Sequence, residues 1–181
     1  MALNGVDIQI DFARELQLAS AAIQATPKQL ELAGQRAIKK TMRWLQTRIS
    51  RELAQALGVS QKVLKPRFSL KTVGKGSDAA TILWLGVNNL PAEKAGAARQ
   101  TRRGVTVGKR KYEGSFYRQV FGDEKRVWHR KDDRRFPVVA DVIEISDQAT
   151  DIFSRFEQRI PAQFSKVLEQ ELNYVVNHER K

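Results

Sequence analysis

The chain has 181 residues, 41% of them hydrophobic, which is enough to bury the core of one folded domain spanning residues 1–181. It contains no cysteine, so disulfides, thiol nucleophiles and zinc–thiolate sites are excluded. The sequence lacks an apolar run near the roughly 20 residues that a membrane span needs, and its first residues lack a signal-peptide pattern. We therefore predict a soluble intracellular product with no membrane partner.

The formal net charge of +12 is concentrated in two segments. Residues 26–75 carry twelve Lys and Arg against two acidic residues, and residues 97–135 carry thirteen against five. The remainder of the chain has a net charge of −6. Solubility alone requires far less charge than this. The segregation predicts a surface that meets a polyanion, or an acidic partner within an assembly.

The clearest element is a long amphipathic helix. Alternation over residues 6–11 first predicts a short strand, and residues 13–24 have a weaker helical pattern. The long helix then begins after Thr26, a good N-cap, and ends at Gly58. Its basic residues fall opposite an apolar stripe, which indicates either a solvated face or one that meets nucleic acid or a neighbouring subunit. The candidate DNA-facing residues on this helix are Arg36, Lys39, Lys40 and Arg43.

The middle of the chain combines strands with a very basic segment. Residues 67–73 and 80–87 are typical of strands, and the second is apolar enough to be central in a sheet. We predict irregular structure over residues 88–98 and a flexible basic loop over residues 97–114, since glycines interrupt it and apolar residues are few. The candidate DNA-facing residues in this loop are Arg102, Arg103, Lys109, Arg110 and Lys111.

A hairpin follows, with strands over residues 115–121 and 126–130. Alternation places Arg126, Trp128 and Arg130 on one face of the second strand. The indole could make cation–π contacts with the guanidinium groups or stack on an exposed base. We favour a third arrangement, in which the arginine stems cover a half-buried tryptophan.

The last elements are a strand over residues 138–145 and a long helix over residues 146–178, in which Pro161 should cause a kink or a split. The fold class is therefore α+β. We predict a mostly antiparallel sheet or small open barrel, with the long N-terminal helix packed on it and a kinked long C-terminal helix.

The sequence has little that is typical of an enzyme. His129 lies alone among arginines, and Asp132 with Asp133 is more typical of a turn than of a Mg²⁺ site. A glycine-rich phosphate loop and metal-ligand spacing are both missing. We predict a protein without catalytic residues, metal or cofactor.

The hairpin and the segment after it resemble the minor tail protein Z family of lambda-like phages and prophages. The residues that carry the resemblance are Gly114, Phe116, Arg126, Trp128 and Arg130, followed by Arg134-Arg135-Phe136-Pro137-Val138. The order of parts is also similar across nearly the whole chain, from a basic N-terminal helix to an amphipathic C-terminal helix.

The resemblance implies a structural tail-completion protein in the virion, at the head-proximal end of the tail, assembled in the host cytoplasm. Such proteins form a ring, here expected to be hexameric, through which the genome passes. The implied partners are further copies of the chain, tail terminator or tail-tube proteins, head connector proteins, and double-stranded DNA bound without sequence preference. A lumen around DNA would explain the segregated positive charge.

Two alternatives remain open at this level. The first is a stand-alone basic nucleic-acid-binding module, which would bind DNA with a steep salt dependence and some sequence preference. The second is a small Mg²⁺-dependent nuclease that uses Asp132 or Glu113.

Overall fold

The structure is a computed structural model that describes residues 5–10, 25–73 and 80–179. The described helices are α1 (Pro27–Leu57), α2 (Gln61–Leu64), α3 (Ser146–Glu157) and α4 (Ile160–His178). The described strands are β1 (Gly5–Ile10), β2 (Phe68–Val73), β3 (Ala80–Gly86), β4 (Leu90–Pro91), β5 (Ala98–Thr101), β6 (Gly104–Val107), β7 (Arg110–Glu113), β8 (Phe116–Arg118), β9 (Arg126–Arg130), β10 (Val138–Ala140) and β11 (Val142–Ile143). The helix predicted over residues 13–24 lies outside the described residues.

Helix α1 begins and ends where its local signals predict. The Thr26 hydroxyl accepts a hydrogen bond from the Gln29 backbone N–H at 3.4 Å, and the Gln29 side chain accepts one from the Thr26 N–H at 2.9 Å. This reciprocal pair satisfies two donors that a helix start otherwise leaves free. At the other end, Gly58 takes the left-handed conformation (φ 58°) that terminates a helix. The predicted long N-terminal helix is confirmed.

The main core lies between α1, α3, α4 and an antiparallel sheet of strand order β1-β3-β2. Strand β3 is central, as predicted, with Ile8 of β1 and Leu70 of β2 both opposite Leu83. The buried face of α1 contributes large apolar residues to this core at intervals of three or four positions: Met42, Leu45, Ile49 and Leu53. Helices α1 and α3 contact this sheet and α4 packs on α1, so the α+β class is confirmed.

The predicted C-terminal helix is split in two rather than bent. Helix α3 ends at Glu157, and α4 begins at Ile160 with Pro161 in its first turn. Proline fits there because the first backbone N–H groups of a helix have no partner within the helix. From α4, Phe164, Leu168 and Leu172 are buried in the main core, so the break lets both helices pack on α1.

The prediction of a flexible loop over residues 97–114 is wrong, because this segment forms the antiparallel three-stranded meander β5-β6-β7. Val105 and Val107 of the central strand are buried and anchor it. Gly104 and Gly108, which suggested flexibility in the sequence, lie beside its two turns with positive φ angles. The preceding residues 88–98 are not wholly irregular either, since they contain β4 and a 3₁₀ turn (Ala92–Ala95).

A second, smaller core joins the meander to the sheet β10-β9-β8. Val127 of β9 packs there with Ala92, Val105 and Val107. The predicted hairpin is confirmed as the β8-β9 pair, in which Phe116 lies opposite Trp128. A short β11-β4 pair completes the sheets, and the described strands do not close into a barrel.

Candidate functional site

The outer face and the two turns of the meander carry exposed cations. The pairing register places Arg99, Thr106 and Lys111 side by side on one face of the three strands. Arg102 and Arg103 occupy the β5-β6 turn, and Lys109 occupies the β6-β7 turn. We use the name meander face for the five exposed cations Arg99, Arg102, Arg103, Lys109 and Lys111. Four of them are sequence-predicted candidates, and Arg99 is an addition that the strand register makes visible.

The charges of the meander face are uncompensated. Within the described part of the chain, none of these five side chains makes an ion pair, and Glu113 is the sole acidic residue between residues 98 and 113. Arg99 and Lys111 lie two strand spacings apart, about 10 Å. The spread of charge suits a polyanion whose phosphates repeat along an extended backbone.

Arg110, the remaining candidate of this segment, lies on the inner side of the meander. Its Nη2 donates a hydrogen bond to the Leu57 carbonyl at 3.1 Å. This carbonyl is in the last turn of α1, where backbone acceptors lack partners and a cation is favourable. Arg110 therefore links the meander to the helix, which is a structural contact.

The four candidates on α1 also divide into two groups. Arg36 Nη1 lies 2.8 Å from Glu179 Oε1, and this hydrogen bond raises the pKa of Arg36. Lys40 pairs with Glu171, a carboxylate that is only 7% exposed. Lys39 and Arg43 are exposed and make no ion pair with any described residue. Two of the four predicted side chains are thus engaged within the chain, by acids too distant in sequence to be anticipated.

A polar cluster lies at the junction of the meander and the sheet β10-β9-β8, which we call the second sheet. Asp141 accepts a hydrogen bond from the Ser115 hydroxyl (2.6 Å) and contacts His129 Nδ1 (2.9 Å). In a nucleophilic triad the histidine lies between the serine and the acid. Here the acid lies between the other two, so the histidine cannot take the serine proton. The cluster therefore joins His129 of β9 to Ser115, just before β8, and to Asp141, just after β10.

A second polar group is buried beside the first. Glu93 Oε1 lies 3.3 Å from Arg126 Nε, and the Glu93 carboxylate is 12% exposed. The Tyr112 hydroxyl is also buried, and burial raises the pKa of Tyr112. The tyrosine therefore stays neutral at physiological pH. Arg126 is therefore held against its own chain rather than presented to a ligand.

Trp128 is buried rather than poised for base stacking. It is 6% exposed, its indole N–H donates to the Arg118 carbonyl at 2.9 Å, and its ring meets Phe121 edge-on at 5.5 Å. The two cation–π contacts among the described residues are Arg135–Phe136 and Arg159–Phe156, so neither involves this indole. Trp128 is therefore covered more completely than the predicted half, and the ring packed against it is Phe121. Cover by the stems of Arg126 and Arg130 stays a prediction.

The acidic loop after β9 shows turn geometry. The Asp132 carboxylate accepts a hydrogen bond from the Arg134 backbone N–H at 2.9 Å, as in an Asx turn. It lines an open cleft of about 750 Å³ together with Glu113 and Asp133. Across the described ranges, His, Asp and Glu side chains do not form a group of three that could hold a metal ion. This geometry gives the nuclease alternative no support.

Comparison with known protein families decides the classification. Residues 17–181 match the family described as Prophage minor tail protein Z (GPZ). The chain belongs to this family. The resemblance seen at Gly114, Phe116, Arg126, Trp128 and Arg130 is thereby confirmed over nearly the whole length. Comparisons with curated proteins and with solved structures give no match.

Membership of the minor tail protein Z family indicates a structural protein of the phage tail, located in the virion. A tail protein works among other virion proteins, so the exposed surfaces are candidate contacts with them. Of the helices that the structure describes, none is long and apolar enough to cross a membrane.

Proposed function

We propose that this minor tail protein completes the tail at the head–tail junction, where copies of it form a ring, of six subunits, around the passing double-stranded DNA. The single observation that supports this most strongly is the meander face, whose five cations are exposed on the outer face and turns of one three-stranded meander and make no ion pair among the described residues. Cationic side chains that contact phosphates fix the position of a protein on DNA and carry no information about base sequence.

The proposed DNA-facing set is the meander face together with Lys39 and Arg43. The predicted candidates Arg36, Lys40 and Arg110 are assigned to internal contacts, because each has a partner within the chain. Such a set favours passage of DNA over tight binding. Bidentate contacts with bases would hold the genome at one register, whereas phosphate contacts are equivalent at every step along the duplex.

The remaining partners follow from the position. At the head-proximal end of the tail, one side of the ring would meet tail terminator or tail-tube proteins and the other would meet head connector proteins. A stand-alone nucleic-acid-binding module would need a recognition element that enters a groove and reads base edges. The meander face presents mainly long cationic side chains at its turns and outer positions, so we favour the tail role.

The triple substitution Arg102→Ser, Arg103→Ser, Lys111→Ser is expected to weaken binding to duplex DNA by about tenfold or more at 50 mM salt. The slope of log affinity against log salt should become shallower by roughly 2–3, since each lost phosphate contact contributes about 0.9. Fluorescence anisotropy with several unrelated 30-base-pair duplexes measures both quantities, and the loss should be equal for all sequences.

The matched control is Lys62→Ser, Lys65→Ser, Lys166→Ser, which removes the same charge from exposed positions elsewhere. It should change the slope by less than half as much. Equal losses in the two variants would mean that net charge, and not the meander face, governs binding. Wild-type protein that does not bind DNA at low salt would also contradict the proposal.

A further inference from the structure

A groove on the second sheet combines exposed aromatic and cationic side chains. It has a volume of about 820 Å³ and runs along β8, β10 and the residues before β10. Phe116, Phe136 and Val138 supply its apolar surface, and Arg118, Arg130 and Arg135 supply its charge. Phe136 is 52% exposed, which is unusual for a ring of this size and is typical of an interface anchor.

The three arginines of this groove have no acidic partner among the described residues. The Arg118 guanidinium makes no ion pair, and Arg130 reaches only the Arg134 carbonyl, at 3.5 Å. Arg135 lies over the Phe136 ring, 5.7 Å from its centroid. Arginine and aromatic residues are the types enriched at the centres of protein interfaces. The groove therefore suits a partner that offers carboxylates around a small apolar contact.

The same chain carries a surface of this kind. Residues 141–151 contain four acidic residues and neither lysine nor arginine, although the chain as a whole is strongly basic. Exposed acidic residues lie just before α3 (Glu144) and in its first two turns (Asp147 and Asp151), and Val142, close to them in sequence, is 43% exposed. Asp147 and Asp151 are one helical turn apart and so share a side of α3. We call Val142, Glu144, Asp147 and Asp151 the acidic end.

The acidic end is also unpaired. Glu144 and Asp151 make no ion pair within the described ranges, and Asp147 contacts only the neighbouring Ser146 hydroxyl, at 3.3 Å. Helix α3 packs on α1 and β1 in the main core, whereas the groove belongs to the second sheet. Among the described residues, no ion pair joins these two surfaces within one copy, so the charges of each are available to another copy.

We infer that the groove of one copy binds the acidic end of the next copy. This contact joins two different surfaces, so copies add head to tail, and such a contact closes into a ring when its rotation permits. It gives a concrete subunit interface to the ring proposed above, and it rests on that proposal. The arrangement also directs acidic groups to neighbouring subunits and leaves the meander face for DNA.

Charge reversal on each side tests the inference. The groove variant is Arg118→Glu, Arg135→Glu, and the end variant is Asp147→Lys, Asp151→Lys. Sedimentation velocity from 1 to 300 µM protein at 150 mM salt measures self-association. Each variant should self-associate about 100-fold more weakly than wild type, because like charges then face each other. A chain carrying all four substitutions should recover to within about tenfold of wild type.

Mixing provides the more specific readout. Groove and end variants combined one to one should associate again, because each junction then pairs opposite charges. The control Lys62→Glu, Lys65→Glu makes the same charge change on other exposed residues and should associate like wild type. Circular dichroism verifies that each variant is folded. If a double variant is unfolded, the single substitution Arg118→Glu or Asp151→Lys is used in its place.

The outcomes separate this interface from the ring itself. Wild-type oligomers that are insensitive to both reversals, or variants that mixing does not rescue, overturn the inference and leave a ring built through another surface. Wild-type protein that is monomeric up to 300 µM contradicts both the inference and self-driven ring formation. DNA affinity is measured separately on the same samples, and it tests the proposed contact between the meander face and DNA whatever the result for self-association.

Discussion

Replacing Phe156 with alanine is expected to lower the free energy of unfolding by about 3–5 kcal/mol, a large part of the stability of a typical domain. The Phe156 ring is 2% exposed and meets Trp44 edge-on, with 6.0 Å between ring centroids. The Arg159 guanidinium lies 5.4 Å from its centroid. Removing the ring leaves a cavity where α3 packs on α1, and both aromatic contacts are lost. Urea unfolding followed by circular dichroism measures the change.

The matched control is Phe136→Ala, which deletes the same atoms from a side chain that is 52% exposed. The Phe136→Ala substitution should lower the free energy of unfolding by less than about 1 kcal/mol, because removing an exposed side chain leaves no cavity. Similar losses for the two variants would contradict the division of the molecule into a main core and an exposed groove. A loss under about 1 kcal/mol for Phe156→Ala would mean that α3 is not packed as described.

The Gly104→Ala substitution is expected to disrupt the meander and to reduce DNA binding as strongly as the triple substitution of its cations. Gly104 has φ 151°, and a Cβ atom there would lie 2.1 Å from the Tyr112 carbonyl oxygen on β7. The backbone must therefore shift, and the β6-β7 pairing that presents Lys111 is lost. Strain of this kind costs at least about 1–3 kcal/mol. Hydrogen exchange of residues 104–113, measured with DNA anisotropy, reports both effects.

Gly114→Ala is the control for backbone strain alone. Gly114 also has a positive φ, 71°, but nothing lies within 4 Å of the position its Cβ would take. The Gly114→Ala substitution should lower the free energy of unfolding by about 1–2 kcal/mol. It should leave the backbone amides of β6 protected from hydrogen exchange. Normal protection of those amides in Gly104→Ala would show that the meander tolerates a shifted β7. The meander would then not depend on this close approach.

The sequence predicted the elements whose signals are local. Thr26, Pro27 and Gln29 together specify the start of α1, and Gly58 specifies its end, because capping involves residues only a few positions apart. The central position of β3 also followed from its nearly continuous apolar run. Pro161 signalled a break in the C-terminal helix, and the structure shows where it falls.

The meander could not be predicted in the same way. Its strands have four residues each, too few for alternation to be distinguished from chance, and their stability comes from burying Val105 and Val107 against Val127 of β9. Gly104 and Gly108 suggested flexibility, but Gly104 begins β6 directly after one tight turn and Gly108 lies in the other. The composition of residues 97–114 correctly predicted a basic segment, but it wrongly predicted a flexible loop.

The assignment of cations was limited by long-range pairing. Arg36 and Lys40 look like Lys39 and Arg43 in sequence, but Glu179 and Glu171 lie more than 130 residues away along the chain. A helical periodicity identifies an exposed side of α1 and gives no information about what covers it. The packing of α4 on α1 alone decides which of the four remain available.

An electron cryo-microscopy reconstruction of tails assembled with this chain would locate the ring, the meander face and the DNA in one experiment. We expect a closed ring of copies at the head-proximal end, with Arg102, Arg103 and Lys111 turned toward the central channel and within reach of DNA phosphates. A ring whose meander faces outward or against acidic neighbours, or a chain located elsewhere in the tail, would contradict it.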